Sequence, residues 1–132
     1  MSGTAFVLSD ALLLTGAYAA STNSAAVHGS RYHTLYINYS PDTNSTNALN
    51  LQIDFSPDGG TTWHIYGQFT NASGTLTEQA YTIADASAGT SDQLITPVVF
   101  DIQATHLRVR ALETNTPGDF GNYTATIRSS ST

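Results

Sequence analysis

The chain has no cysteine and no lysine, one methionine and one tryptophan, and only 11% of its residues are charged. Without cysteine there is no disulfide framework and no thiolate metal site. Without lysine the cations are Arg31, Arg108, Arg110 and Arg128, set against ten acidic residues for a net charge of −6. That balance excludes nucleic-acid binding by phosphate neutralisation, which needs a basic surface. It equally disfavours docking on an anionic membrane. No stretch approaches the ~20 apolar residues of a membrane-spanning helix. The start Met1-Ser2-Gly3-Thr4 lacks a basic region, and Asp10 interrupts the apolar run that follows, so no signal peptide is expected. Catalytic signatures are missing too. There is no G-x-S-x-G and no phosphate loop, and no carboxylates converge in a way that suggests acid/base work. His28, His33, His64 and His106 form no H-x-H or H-E-x-x-H pair.

What is present is a hydroxyl- and amide-rich β pattern. Ser, Thr and Asn make up roughly a third of the 132 residues, well above ordinary usage. The length suits one domain spanning residues 1–132. The clearest local signal is Leu49–Phe69. Leu49, Leu51, Ile53 and Phe55 alternate with Asn50, Gln52 and Asp54. After Ser56-Pro57-Asp58-Gly59-Gly60-Thr61-Thr62, the return arm sets Trp63, Ile65 and Phe69 against His64, Tyr66 and Gln68. Period-two alternation on both sides of a Pro-Asp-Gly-Gly turn predicts a β-hairpin with one buried and one solvated face. Asp54 is then expected on the solvated face and Trp63 in the core.

The turn itself, Ser56, Asp58, Gly60, Thr62 and Trp63, reads S-x-D-x-G-x-T-W and resembles the Asp-box known from sialidase propeller blades. The spacing has a local reason. A carboxylate at Asp58 can accept hydrogen bonds from turn N–H groups, and Gly60 supplies a positive φ. The motif occurs once, whereas a propeller would repeat it at blade spacing. The expected role is structural.

Elsewhere, Phe6–Leu8 and Ala11–Tyr18 are apolar and predict one bent strand or two short ones. Ala19–Ser30 reads as a loop. Arg31–Ser40 predicts a strand with His33, Leu35, Ile37 and Tyr39 on one face and Tyr32, Thr34, Tyr36 and Asn38 on the other. Pro41–Ala48 is turn-rich. Further strands are expected at Thr75–Ala84, at Leu94–Ile102 with Pro97 marking an edge or bulge, at Thr105–Leu112 and at Asn122–Arg128. Asp85–Asp92 and Glu113–Gly121 read as loops. About eight strands without an amphipathic helix predict an all-β antiparallel sandwich, jelly-roll-like, with an immunoglobulin-like arrangement as the alternative.

Two further features bear on binding. The oxygens of Asp42, Thr43, Asn44 and Asn47 loosely resemble a calcium loop but lack its Gly and bidentate Glu, and Asp85 and Asp92 bracket a still weaker candidate. No metal and no cofactor is therefore expected. Exposed Tyr36 and Tyr66 could stack on sugar rings or anchor a protein interface. Phe6, Leu8, Leu12, Leu14 and Tyr18 make the segment 1–18 a candidate assembly arm or edge strand, because so apolar a segment needs cover.

Across most of its length the chain resembles small bacteriophage virion proteins. The stretches that carry this are Ala11–Leu14, Tyr36-Ile37-Asn38-Tyr39, Phe55–Trp63, His106–Ala111 and Asn122–Ile127. The resemblance implies a non-enzymatic capsid decoration or cement protein, made in the host cytoplasm and carried on the capsid exterior. Its partners would be the major capsid protein and copies of itself, as a trimer or dimer. A carbohydrate-binding or adhesin module using Tyr36 and Tyr66, and a phage tail or baseplate component, are the alternatives.

Overall fold

A computed structural model describes residues 4–41, 48–72, 75–78, 93–114 and 120–132. Among them are ten strands: β1 (Thr4–Leu13), β2 (Ala19–Ala20), β3 (Ala25–Ala26), β4 (Tyr32–Ser40), β5 (Ala48–Ser56), β6 (His64–Ala72), β7 (Thr75–Glu78), β8 (Gln93–Asp101), β9 (His106–Thr114) and β10 (Asn122–Ser130). They form a four-stranded sheet, β1-β10-β4-β8, and a six-stranded sheet, β2-β9-β5-β6-β7, with β3 also on β9. The expected loops Asp42–Asn47 and Asp85–Asp92, and the strand continuation through Tyr81 and Ile83, lie outside the described residues.

All these pairings are antiparallel, and five of them nest. β5 pairs β6, β4 pairs β8, β2 and β3 pair β9, and β1 pairs β10. This is one long two-stranded ribbon with the β5–β6 turn at its closed end. The ribbon then folds on itself through β10:β4 and β9:β5. A ribbon so wrapped is a jelly roll, and its two sheets bury one shared core. The nested pairing decides against the immunoglobulin-like alternative.

Alternation explains most of the core. His33, Leu35, Ile37 and Tyr39 of β4 point inward, as do Leu107, Val109 and Ala111 of β9 and Tyr123, Ala125 and Ile127 of β10. Three local expectations need correction. Ala19–Ser30 is not all loop: β2 and β3 are two fragments of one interrupted strand along β9, and two-residue alanine strands carry no period to read. Glu113 belongs to β9 rather than to a loop. Most important, β5 has no solvated face. Asn50, Gln52 and Asp54 are as buried as Leu49, Leu51 and Ile53, because long side chains from β6 and β9 close over the strand.

The chain also buries a carboxylate at one end of the core. Glu113, 1% exposed, accepts hydrogen bonds from the Tyr39 hydroxyl and from the Gly121 N–H at 2.7 Å. Burial, then the bond to Glu113 and its charge, drives the Tyr39 hydroxyl far above its ordinary pKa, so Tyr39 stays a neutral donor. Gly121 has to be glycine: a Cβ there would stand 2.0 Å from the Ser40 carbonyl oxygen. Glu113 thus links β4, β9 and the entry to β10. Glu113→Ala is expected to cost about 2–4 kcal/mol by stranding two buried donors. Glu113→Gln, which keeps an acceptor, is expected to cost less. Urea unfolding checks this, and equal stability of Glu113→Ala and wild type would show that the donors find water.

Candidate interaction surface

The ribbon's closed end is built by two side chains. The Ser56 hydroxyl donates to Asp58 Oδ1 at 2.8 Å and accepts from the N–H groups of Asp58 and Gly60 at 3.3 and 2.8 Å. Asp58 Oδ1 also accepts the Thr62 N–H at 2.8 Å. Gly59 and Gly60 take positive φ values of 77° and 93°, open to glycine at little cost. The turn is fastened from outside by Thr105. Its N–H and hydroxyl donate to the Ser56 carbonyl, and its hydroxyl accepts the Gly59 N–H at 2.8 Å. The sequence reading missed Thr105, because it stands 49 residues from Ser56. Trp63 does not enter the core. It is half-buried on the outer side of the six-stranded sheet, beneath the Arg108 guanidinium, which lies 4.2 Å from its ring centre.

That outer side is closed by polar bonds. Asp54, 1% exposed, takes the Arg108 Nε–H at 3.1 Å and has an Arg110 nitrogen at 3.9 Å. Gln52 donates to Asp54 at 2.8 Å, and Gln68 donates to Gln52 at 2.9 Å. A buried carboxylate needs such company, since the charge has lost its water. Tyr66 is the extra residue of a bulge, because Ile53 faces Gly67 and Asp54 faces Ile65. The bulge turns Ile65 outward, against the predicted parity, while Tyr66 stays exposed as expected, with its ring centre 5.2 Å from that of Phe100.

The outer side of the four-stranded sheet is different. Its outward residues include Tyr32 and Tyr36 of β4, Val7 of β1, and Leu94 and Val99 of β8, the last two 81% and 74% exposed. β8 is an edge strand. It bulges where Leu35 faces Val98 but Ile37 faces Ile95, so Tyr36 stands opposite both Thr96 and Pro97. The bulge opens a groove of about 430 Å³ between Tyr36, Asn38, Leu94, Pro97, Thr124 and Thr126. A volume of that size is enough to take a partner's side chains. The sequence reading named Tyr36 but not Leu94 or Val99. A signal was there: alternation cannot hide all of Leu94, Ile95, Val98 and Val99 around a proline.

The other candidates separate. Leu8 and Leu14 are buried in the chain's own core, and Phe6, Leu12 and Tyr18 are half-buried, while Val7 and Leu13 of β1 stay exposed. Tyr36 and Tyr66 lie on different sheets and form no shared platform. His33 is buried between the Ser129 hydroxyl and the Ile102 carbonyl, and burial lowers its pKa. His64 stacks on Phe55, and His28 meets His106 edge to face at 5.3 Å. Asp101 pairs with Arg31 at 2.8 Å. Among the described residues no three His, Asp or Glu side chains come together as a metal site, and no helix is long and apolar enough to cross a membrane.

No protein-family model matches the sequence, and no curated protein matches it. Among solved structures, the chain is similar to the crystal structure of the infectious bursal disease virus VP2 subviral particle, with a TM-score of 0.58 and 12% sequence identity. The likeness covers 97% of this chain and 32% of that one, so this chain spans about a third of its length. At that identity the likeness is one of fold: an antiparallel, two-sheet β-sandwich of jelly-roll type.

Two outcomes are expected from the turn. The Thr62 N–H foremost, then the Ser56 hydroxyl, holds the Asp58 pKa down at about 2. Because the folded value lies below the unfolded one, the contribution of Asp58 to stability is complete above roughly pH 4 and is lost as pH falls toward 2. An NMR titration of the Asp58 carboxyl checks this, and a midpoint near 4 would show that these bonds do not persist in solution. Trp63→Ala is expected to cost about 1–2 kcal/mol, for a stacked cation and partial burial. A core tryptophan would cost about 3–5 kcal/mol, and urea midpoints tell the two apart.

Proposed function

We propose that this chain is a non-enzymatic structural protein of a virus particle, and that its specific role is to decorate or cement a capsid from outside. The observation that carries the proposal is the jelly-roll likeness over 97% of the chain to a viral particle protein. Composition supports it: a lysine-free, hydroxyl-rich surface suits crowded packing with water-mediated contacts. A decorating protein gains avidity by engaging a symmetric lattice at several weak contacts together. On this reading the partners are the major capsid protein and further copies of the chain. The bacteriophage assignment rests on the resemblance in the sequence. A tail or baseplate position would use the same fold with different neighbours.

One observation favours a second reading, a carbohydrate-binding module. Tyr36 is 43% exposed beside a groove rimmed by Asn38, Thr124 and Thr126, a mixture of aromatic face and hydroxyl groups that suits a sugar ring. The test is immunogold labelling of purified particles of the virus that encodes the chain, alongside a glycan array probed with wild type and Tyr36→Ala. Labelled exteriors of intact particles and no glycan signal are expected. Particles without the chain overturn the proposal. Glycan binding that Tyr36→Ala abolishes would then establish the second reading.

A further inference from the structure

The two outer faces of the sandwich are unequal. One is closed by the Asp54–Arg108 network. The other carries most of the exposed large apolar side chains: six of the eight among the described residues, Val7, Leu13, Tyr32, Tyr36, Leu94 and Val99, belong to the four-stranded sheet. We infer that this face joins two copies of the chain in an isologous dimer.

Three features point to a second copy rather than to another occupant. The first is shape. A two-fold contact requires a patch that complements itself, with projection and recess on one surface. Here the groove at Leu94 and Pro97 and the projecting Val99 lie on the same strand. They are about 16 Å apart between Leu94 and Val99 at ordinary strand rise. A two-fold axis lying in the interface plane, running across β8 midway between them, sets Val99 of each copy over the groove of the other.

The second feature is charge. Each copy carries −6, so two copies repel unless they meet where charge cancels. On and beside this face Arg31 and Arg128 balance Asp10 and Asp101, with Arg31 and Asp101 already paired. A face whose charges cancel draws neither a basic nor an acidic partner, and it lets like-charged copies approach with least repulsion.

The third feature is area. Four strands about 4.8 Å apart and about nine residues long present roughly 550 Å² per copy. The pair then buries about 1,100 Å², just above the ≈1,000 Å² expected of a specific interface. A contact of that size stands at the weak or transient end of specific interfaces.

This inference does not rest on the virion reading; a protein absent from particles could still dimerise, and a monomer could still decorate one. Sedimentation velocity of the full chain from low to high micromolar concentration is the test. Wild type is expected to pass from monomer to dimer. Leu94→Glu and Val99→Glu are each expected to weaken association at least about tenfold, with circular dichroism unchanged. Ile65→Glu, an exposed apolar residue on the other sheet, is expected to leave it unaltered. Leu94→Glu and Val99→Lys should each remain monomeric alone and associate when mixed, because each places its charge opposite the other's. A wild type that stays monomeric throughout overturns the inference and leaves the face to a different protein. A trimer, a mixture that fails to associate, or an Ile65→Glu variant as disrupted as the other two overturns it equally.

Discussion

The nested register of the ribbon depends on its closed end. Once Ser56 and Asp58 tie the β5–β6 turn, Phe55 faces His64 and Asp54 faces Ile65, and β9 aligns on the other side of β5 from Ser56 to Ala48. A slip of one residue would turn every side chain of β5 to the opposite face. Local hydrogen bonds of a few residues' span therefore set pairings between strands far apart in the chain. Thr105 extends the same control to the β8–β9 connection by bonding both Ser56 and Gly59. The turn and the return of the ribbon are thus fixed together.

A central strand under that constraint is covered on both sides, and this is where the pattern in the sequence says least. Alternation separates the two faces of β5 correctly: Leu49, Leu51 and Ile53 against Asn50, Gln52 and Asp54. It does not say whether the polar face meets water. Here it meets Arg108 and Gln68, which reach in from β9 and β6. Polar residues on a strand mark a face that is hydrogen-bonded, by water or by protein. The arginines nearest in register were visible in the sequence, but their pairing with Asp54 follows only from β9 lying against β5.

The sequence was most legible where strands are regular. The faces of β4, β9 and β10 follow from parity alone, and the jelly roll follows from strand number and turn spacing. It was least legible at bulges and at long-range bonds. The bulge at Tyr66 turns Ile65 outward against the alternation, and only the topology shows that Tyr36 and Tyr66 stand on different sheets. Glu113 reads as the start of a polar loop until Tyr39, 74 residues away, is seen to need its oxygen. The apolar outer face could have been found from Leu94 to Val99 by asking where a proline-broken apolar run sends its surplus side chains. It was overlooked because each residue fits a buried strand when read singly.

The edges of the sandwich decide how its exposed apolar surface can be used. The edge strand β1 carries two register shifts, with Ala11 at a φ of 48°, and the edge strand β8 bulges at Pro97. The other sheet ends in the short strands β2, β3 and β7. Bulges, proline and short strands all blunt the pairing of one sheet edge with another. Strand addition at β1, the route by which residues 1–18 would most simply act as an assembly arm, is thereby disfavoured. Charge offers little protection instead: among the described residues Arg31, Arg108 and Arg110 are engaged with Asp101 and Asp54, and there is no lysine to guard a surface. What remains available is contact through the flat of the four-stranded sheet, where side chains rather than backbone groups make the interface. Such contact leaves the ribbon's register untouched, so association and folding can be altered independently by changing Leu94 or Val99 on one hand and Ser56 or Asp58 on the other.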